Sequence, residues 1–211
     1  MRSDLTDITV VLDRSGSMAS VADDTRGGFD TFVADQKKAP GEAVLTLVQF
    51  DDTYEFVYTA RPIRDIGKLD FQPRGSTALL DAIGRAINTT GERLSRMDES
   101  ARPGKVVFVI LTDGQENASR DFTKTKINEM ITHQRNKYKW EFVFLGANQD
   151  AIQEASAIGI SSLNAMNYAH TAKGVNAAFT ATSSNLTAVR GGVVDTMMYS
   201  AEQKQEAVEP E

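Results

Sequence analysis

The sequence predicts an α/β protein in which a mostly parallel sheet is covered by helices on both faces. Three observations predict it. Short apolar, β-branched runs alternate with stretches whose apolar residues recur at helical spacing. The segments between most runs are long enough for a right-handed crossover helix, which joins parallel neighbours in one sheet. One connection, Asp51-Asp52, allows only a hairpin, so the strand after it runs antiparallel.

Residues 8–12, Ile-Thr-Val-Val-Leu, read as a short, fully buried strand. Phe29, Phe32 and Val33 then fall at i, i+3 and i+4, the face of a helix. Residues 43–50 form a second strand, and residues 53–59 a third that alternates polar and apolar residues as an edge strand does. A helix is expected over about 77–97, with Leu80, Ile83, Ile87 and Leu94 on one face. Lys105-Val106-Val107-Phe108-Val109-Ile110-Leu111 is the strongest buried strand of the chain. A helix over about 123–138 carries Ile127, Met130 and Ile131, and residues 140–145 make the fifth strand. A short helix over about 150–158, a weak sixth strand near 162–166 and a last helix over about 174–189 complete the series. The organisation is one domain over residues 5–190 and a segment over 191–211, whose polar end from Glu202 is expected to be disordered.

Composition narrows the function. The chain has 211 residues, 41% of them hydrophobic, enough for one full core. A net charge of -6 argues against nucleic-acid binding through bulk charge. A modest basic cluster at Lys124, Lys126, Arg135, Lys137 and Lys139 reads as a solvated helix face. With no cysteine, thiolate catalysis and zinc–sulfur sites are excluded, and two histidines leave little for histidine-based acid–base chemistry. No apolar run approaches the ~18 residues of a membrane span, and the charged N-terminus lacks the apolar stretch of a signal peptide. A cytoplasmic protein is the expectation.

Ligands of open α/β sheets bind beyond the carboxyl ends of the strands. That rule selects the loops after residues 12, 76 and 111. The first is Asp13-Arg14-Ser15-Gly16-Ser17, a carboxylate and two hydroxyls spaced by two. The second, Arg74-Gly75-Ser76-Thr77, precedes an apolar-periodic helix, and the third is Thr112-Asp113-Gly114. Read singly, each is an ordinary turn or helix cap. Read together, Asp13, Ser15, Ser17, Thr77 and Asp113 are hard oxygen donors suited to Mg²⁺, Mn²⁺ or Ca²⁺, with at least one position left open.

In these residues the chain resembles the von Willebrand factor A domains, and the loops resemble their metal-ion-dependent adhesion site. Asp13-x-Ser15-x-Ser17, Thr77 and Asp113 match the motif at every position. The resemblance implies a Rossmann-like sheet of order 3-2-1-4-5-6 with an antiparallel third strand at the edge. It implies that Ser15, Ser17 and Thr77 touch the metal while Asp13 and Asp113 often act through water. It implies a protein-binding module, not an enzyme, whose cation accepts a partner's Asp or Glu. Arg14, Arg74, Gln115 and Glu116 lie on the same loops and are expected to rim that contact. The leaderless, cysteine-free chain looks like the intracellular bacterial or viral members, which are stress-response or phage-associated or work beside AAA+ ATPases, kinases or phosphatases. The competing reading is a metal-dependent hydrolase or phosphotransferase with Asp13 as nucleophile. Against it, the position two residues on is Ser15 where such enzymes carry a second Asp, neither histidine falls on a site loop, and no phosphate-binding P-loop motif is present.

Overall fold

The computed structural model describes residues 1–147 and 150–209. Six strands, β1 (Arg2–Asp13), β2 (Glu42–Phe50), β3 (Tyr54–Pro62), β4 (Pro103–Thr112), β5 (Glu141–Gly146) and β6 (Ala165–Asn167), form one sheet of order β3-β2-β1-β4-β5-β6. Every pairing is parallel except β2–β3, which is antiparallel at the edge. The expected order and the lone antiparallel strand are both present.

β1 is the centre of the sheet, paired with β2 on one side and β4 on the other. Its alternation decides the layers, because successive side chains of a strand point to opposite faces. Ile8, Val10 and Leu12 enter one core with Phe29, Phe32 and Val33 of α1 (Ala22–Lys38) and Val175, Phe179 and Leu186 of α5 (Ala172–Arg190). Val11 enters the other, with Ile83 and Ile87 of α2 (Leu79–Ser95), Ile127 and Ile131 of α3 (Lys124–Tyr138) and Ala155 of α4 (Ala151–Ala157). Trp140, Phe108 and Phe142 stack within this second core, with Phe108 4.9 Å from Phe142 and 5.5 Å from Trp140 between ring centroids.

β1 begins six residues earlier than its apolar run, because flanking strands give the backbone of Thr6 and Asp7 ladder partners and bury both side chains. Between β3 and α2 the chain recrosses the α1 face, burying Ile63, Ile66, Leu69 and Phe71, and so delivers Thr77 to the carboxyl ends of the strands.

The polar tail departs from expectation. Ala201–Val208 form α6, which opens with a reciprocal cap between Ser200 and Gln203 and buries Ala207. Composition alone suggested disorder, but a capping box and one buried alanine against α5 and β6 hold the segment helical. Pro210 and Glu211, the end of that expected tail, lie outside the described residues.

Candidate metal centre

The three loops meet at the carboxyl ends of β1 and β4, and backbone hydrogen bonds join the first two. Gly16 N–H donates to the Gly75 carbonyl (3.1 Å) and Arg74 N–H to the Arg14 carbonyl (2.7 Å). The Thr77 carbonyl accepts from Asn117 and Ala118 N–H, while Thr77 N–H donates to Asn117 Oδ1 (2.9 Å), which joins the second loop to the third. Gly75 has φ +67, and a Cβ there would stand 2.9 Å from the Asp52 carboxylate, so this turn needs glycine.

Asp51 sits beneath this junction as a charged hub. Its Oδ2 accepts from Arg14 Nε (2.9 Å) and Arg74 Nε (2.8 Å), and its Oδ1 accepts from the Thr53 amide and hydroxyl. Burial pushes the carboxyl pKa up, but the bonds from Arg74 and Thr53 and the Arg14 charge outweigh it and hold the pKa at about 2. Arg14 also pairs with Glu55 (2.8 Å).

Three of the expected donors lie in a chain of close contacts. Ser15 Oγ lies 3.1 Å from Ser17 Oγ, and Ser17 Oγ donates to Asp113 Oδ1 at 2.7 Å. Two adjacent ligands of an octahedral ion with oxygens at about 2.1 Å stand about 3.0 Å apart, so these spacings fit one coordination sphere. Gly114 borders the same point. A Cβ on it would stand 3.0 Å from Thr77 Oγ1 and 3.7 Å from Ser17 Oγ, so both hydroxyls face Gly114 and a side chain there would crowd the threonine.

The two aspartates differ. Asp13 is fully buried, its Oδ1 accepting from Ser15 N–H (2.7 Å) and its Oδ2 from the Thr112 hydroxyl (2.6 Å). With both oxygens engaged, Asp13 fits a role that shapes the loop or acts through water. Burial raises its pKa to about 6 despite those hydrogen bonds. Asp113 is also raised, by burial first, against the Ser17 hydrogen bond and the nearby His170. Its Oδ2 is screened from solvent and accepts no hydrogen bond, although His170 Nε2 lies 3.0 Å away. A buried carboxylate with Ser17 Oγ on one oxygen and Ser15 Oγ one contact further on offers hard oxygen donors of the kind that suit a hard cation.

The four expected rim residues separate. Gln115 and Arg74 are exposed. Arg14 is buried in the Asp51 hub. Glu116 is turned inward, accepting from Leu80 N–H at the start of α2 and from the amides of Ala118 and Ser119. Sequence reasoning did not single out Thr112, Asn117 or His170 for the site. Thr112 directly precedes Asp113 and was findable from that adjacency, but no local pattern marks His170.

A cavity of about 470 Å³ opens at the other end of the sheet, beside Leu94, Val106, Gln134 and Trp140. It is mainly apolar, and no carboxylate is among its lining residues.

Residues 7–189 match the von Willebrand factor type A domain. The chain belongs to that family. Domains of the von Willebrand factor A type are metal-dependent protein-interaction modules. A search of curated proteins found no match. Among solved structures, proximal thread matrix protein 1 from the mussel byssus shares 16% identity over 87% of this chain and 46% of its own, with TM-score 0.60. The form of that protein described as having a zinc-occupied metal-ion-dependent adhesion site shares 18% identity over 89% and 44%, with TM-score 0.55. The pilus adhesin SpaC from Lactobacillus rhamnosus GG, in an open conformation, shares 17% identity over 86% and 30%, with TM-score 0.62. This von Willebrand factor A chain spans less than half the length of each of these proteins, and at such identities the likeness is one of fold.

Proposed function

We propose that this chain is a protein-binding module in which Asp13, Ser15, Ser17, Thr77 and Asp113 hold Mg²⁺, or Mn²⁺ or Ca²⁺ in its place, and a partner protein's Asp or Glu supplies a remaining ligand. The observation that carries the reading is the run of close contacts from Ser15 through Ser17 to Asp113, at 3.1 and 2.7 Å, on loops from two different strands. Bound there, the cation supplies a Lewis-acidic centre for an incoming carboxylate. Asp13 has both oxygens engaged, so Asp113 is the carboxylate best placed to neutralise the ion directly, and the ion keeps charge for an outside acid. The exposure of Gln115 and Arg74 on the same loops supports a role for them at the rim of a partner contact. Burial of Asp13 supports binding over a nucleophilic hydrolase, because a carboxyl with no exposed surface is not open to an approaching substrate.

Thermal unfolding with and without millimolar Mg²⁺ or Mn²⁺ tests the site. At 100 times Kd the ion stabilises by about 2.7 kcal/mol, or about 5–10 °C in a domain of this size, and Asp13→Ala abolishes the shift. An unchanged midpoint for the wild type with both ions sinks the reading. Pull-down with and without EDTA then tests whether the partner belongs to an AAA+ ATPase, kinase or phosphatase system. Metal-dependent release of phosphate from a phosphomonoester panel, lost in Asp13→Ala, would restore the enzyme reading.

A further inference from the structure

Asp113 has a neighbour that the three loops do not contain. Its Oδ1 accepts from Ser17, while its buried Oδ2 accepts no hydrogen bond and lies 3.0 Å from His170 Nε2. His170 belongs to the short loop between β6 and α5, with its side chain 33% exposed. That loop is pinned. Tyr168 N–H donates to the Gly146 carbonyl (3.0 Å) and its hydroxyl to the Thr112 carbonyl (3.2 Å), directly before Asp113. Ala169 N–H donates to the Ala207 carbonyl of α6 (2.7 Å). Gly174 of α5 packs so closely on Ala169 that a Cβ there would collide with the backbone. The imidazole is therefore held at the edge of the metal centre.

We propose that His170 is an additional ligand through which this site accepts borderline transition cations such as Zn²⁺ or Co²⁺ alongside Asp113, while Mg²⁺ binds the oxygen donors without it. The proposal rests on the metal-binding reading of the preceding subsection. Imidazole nitrogen suits zinc and its neighbours, whereas Mg²⁺ takes oxygen. Two ligands about 2.0–2.1 Å from a zinc ion stand about 2.9–3.4 Å apart, in octahedral or tetrahedral geometry. The Nε2–Oδ2 separation of 3.0 Å already lies in that range, so a cation entering between them demands little rearrangement. A site of the five oxygen donors alone would have no reason to favour zinc. With His170 it has one nitrogen donor.

The test is calorimetric titration of the untagged full chain with Mg²⁺ and with Zn²⁺, in the wild type, His170→Gln, His170→Ala and His133→Ala. Both His170 variants should weaken Zn²⁺ binding at least about tenfold and leave Mg²⁺ affinity within about twofold, and His133→Ala should change neither. The visible spectrum of the Co²⁺ form should shift when the nitrogen ligand is lost in His170→Gln. Zn²⁺ affinity unchanged in both His170 variants overturns the proposal while leaving the Mg²⁺ site standing. Recovery of both metals by His170→Gln after their loss in His170→Ala also overturns it, since glutamine can hold Asp113 but is a poor zinc ligand. Zinc lost only in His133→Ala places the ion on the surface histidine and overturns the proposal too. A wild type that binds neither ion overturns the underlying reading as well.

Discussion

Asp13 illustrates how one residue carries both structure and linkage. Its carboxyl is buried at the end of the central strand and holds Ser15 N–H and the Thr112 hydroxyl, yet burial still raises its pKa from 3.8 to about 6. The folded, metal-free protein therefore binds this proton more tightly than the unfolded chain does. The stabilisation that the proton brings is full below about pH 4 and is lost as pH rises through about 6, a difference of about 3 kcal/mol by linkage. Urea unfolding in EDTA should show the wild type losing stability across that window relative to Asp13→Asn, which has no carboxyl to ionise. A divalent ion favours the ionised form, so its stabilising effect should be larger at pH 7.5 than at pH 5. Equal metal-induced shifts at the two pH values would contradict this assignment.

At the scale of elements, the site is a meeting of loops that different strands and helices hold in place. Asp51, at the end of β2, accepts from Arg14 of the first loop and Arg74 of the second, and the Arg14 and Asp51 side chains are only 8% and 5% exposed. Asp51→Ala leaves Arg14 buried with Glu55 as its remaining charged partner. Loss of a buried partner of this kind costs about 3–5 kcal/mol, so the urea midpoint should fall steeply and Mg²⁺ affinity should fall with it as the two loops separate. A loss under about 1 kcal/mol would mean that Glu55 alone suffices. The third loop is held from the helix side, where Asp81 of α2 accepts the amides of Arg120, Asp121 and Phe122 and Glu116 reaches back to the start of α2. Glu116 was expected at the rim because it is charged and close in sequence to Asp113. The structure turns it inward because the first amides of a helix lack partners and attract a carboxylate.

At the scale of the whole molecule, the end of the described chain reaches back to the loop beside the candidate metal centre. α6 accepts from Ala169 N–H through Ala207, and the next residue is His170. Truncation after Ser200 removes that acceptor and the buried Ala207. The Ala169 amide should then exchange faster with solvent, and the melting temperature should fall by several degrees, about 2–4 °C for each kcal/mol lost. Unchanged protection at Ala169 would show that α6 is a passive attachment. The basic cluster on α3 has a simpler account. Lys124 pairs with Glu154, Lys126 with Glu129, and Arg135 donates to the Gly159 carbonyl, so these charges serve packing at the helix surface.

Much of the architecture was legible in the order of residues. Alternating apolar runs and helical faces sufficed for the α/β class, and the short link at Asp51-Asp52 sufficed for the antiparallel edge strand, because periodicity and loop length are local properties of a chain. The candidate donors Asp13, Ser15, Ser17, Thr77 and Asp113 could be picked out for the same reason, each sitting where a strand ends or a helix begins. The tertiary structure alone decided which charges face inward, why Arg14 and Glu116 are tied into the scaffold, that the polar tail forms a helix, and that His170 stands beside Asp113. Each of those outcomes depends on contacts between segments far apart in sequence, or on a few hydrogen bonds and one buried side chain that composition does not register.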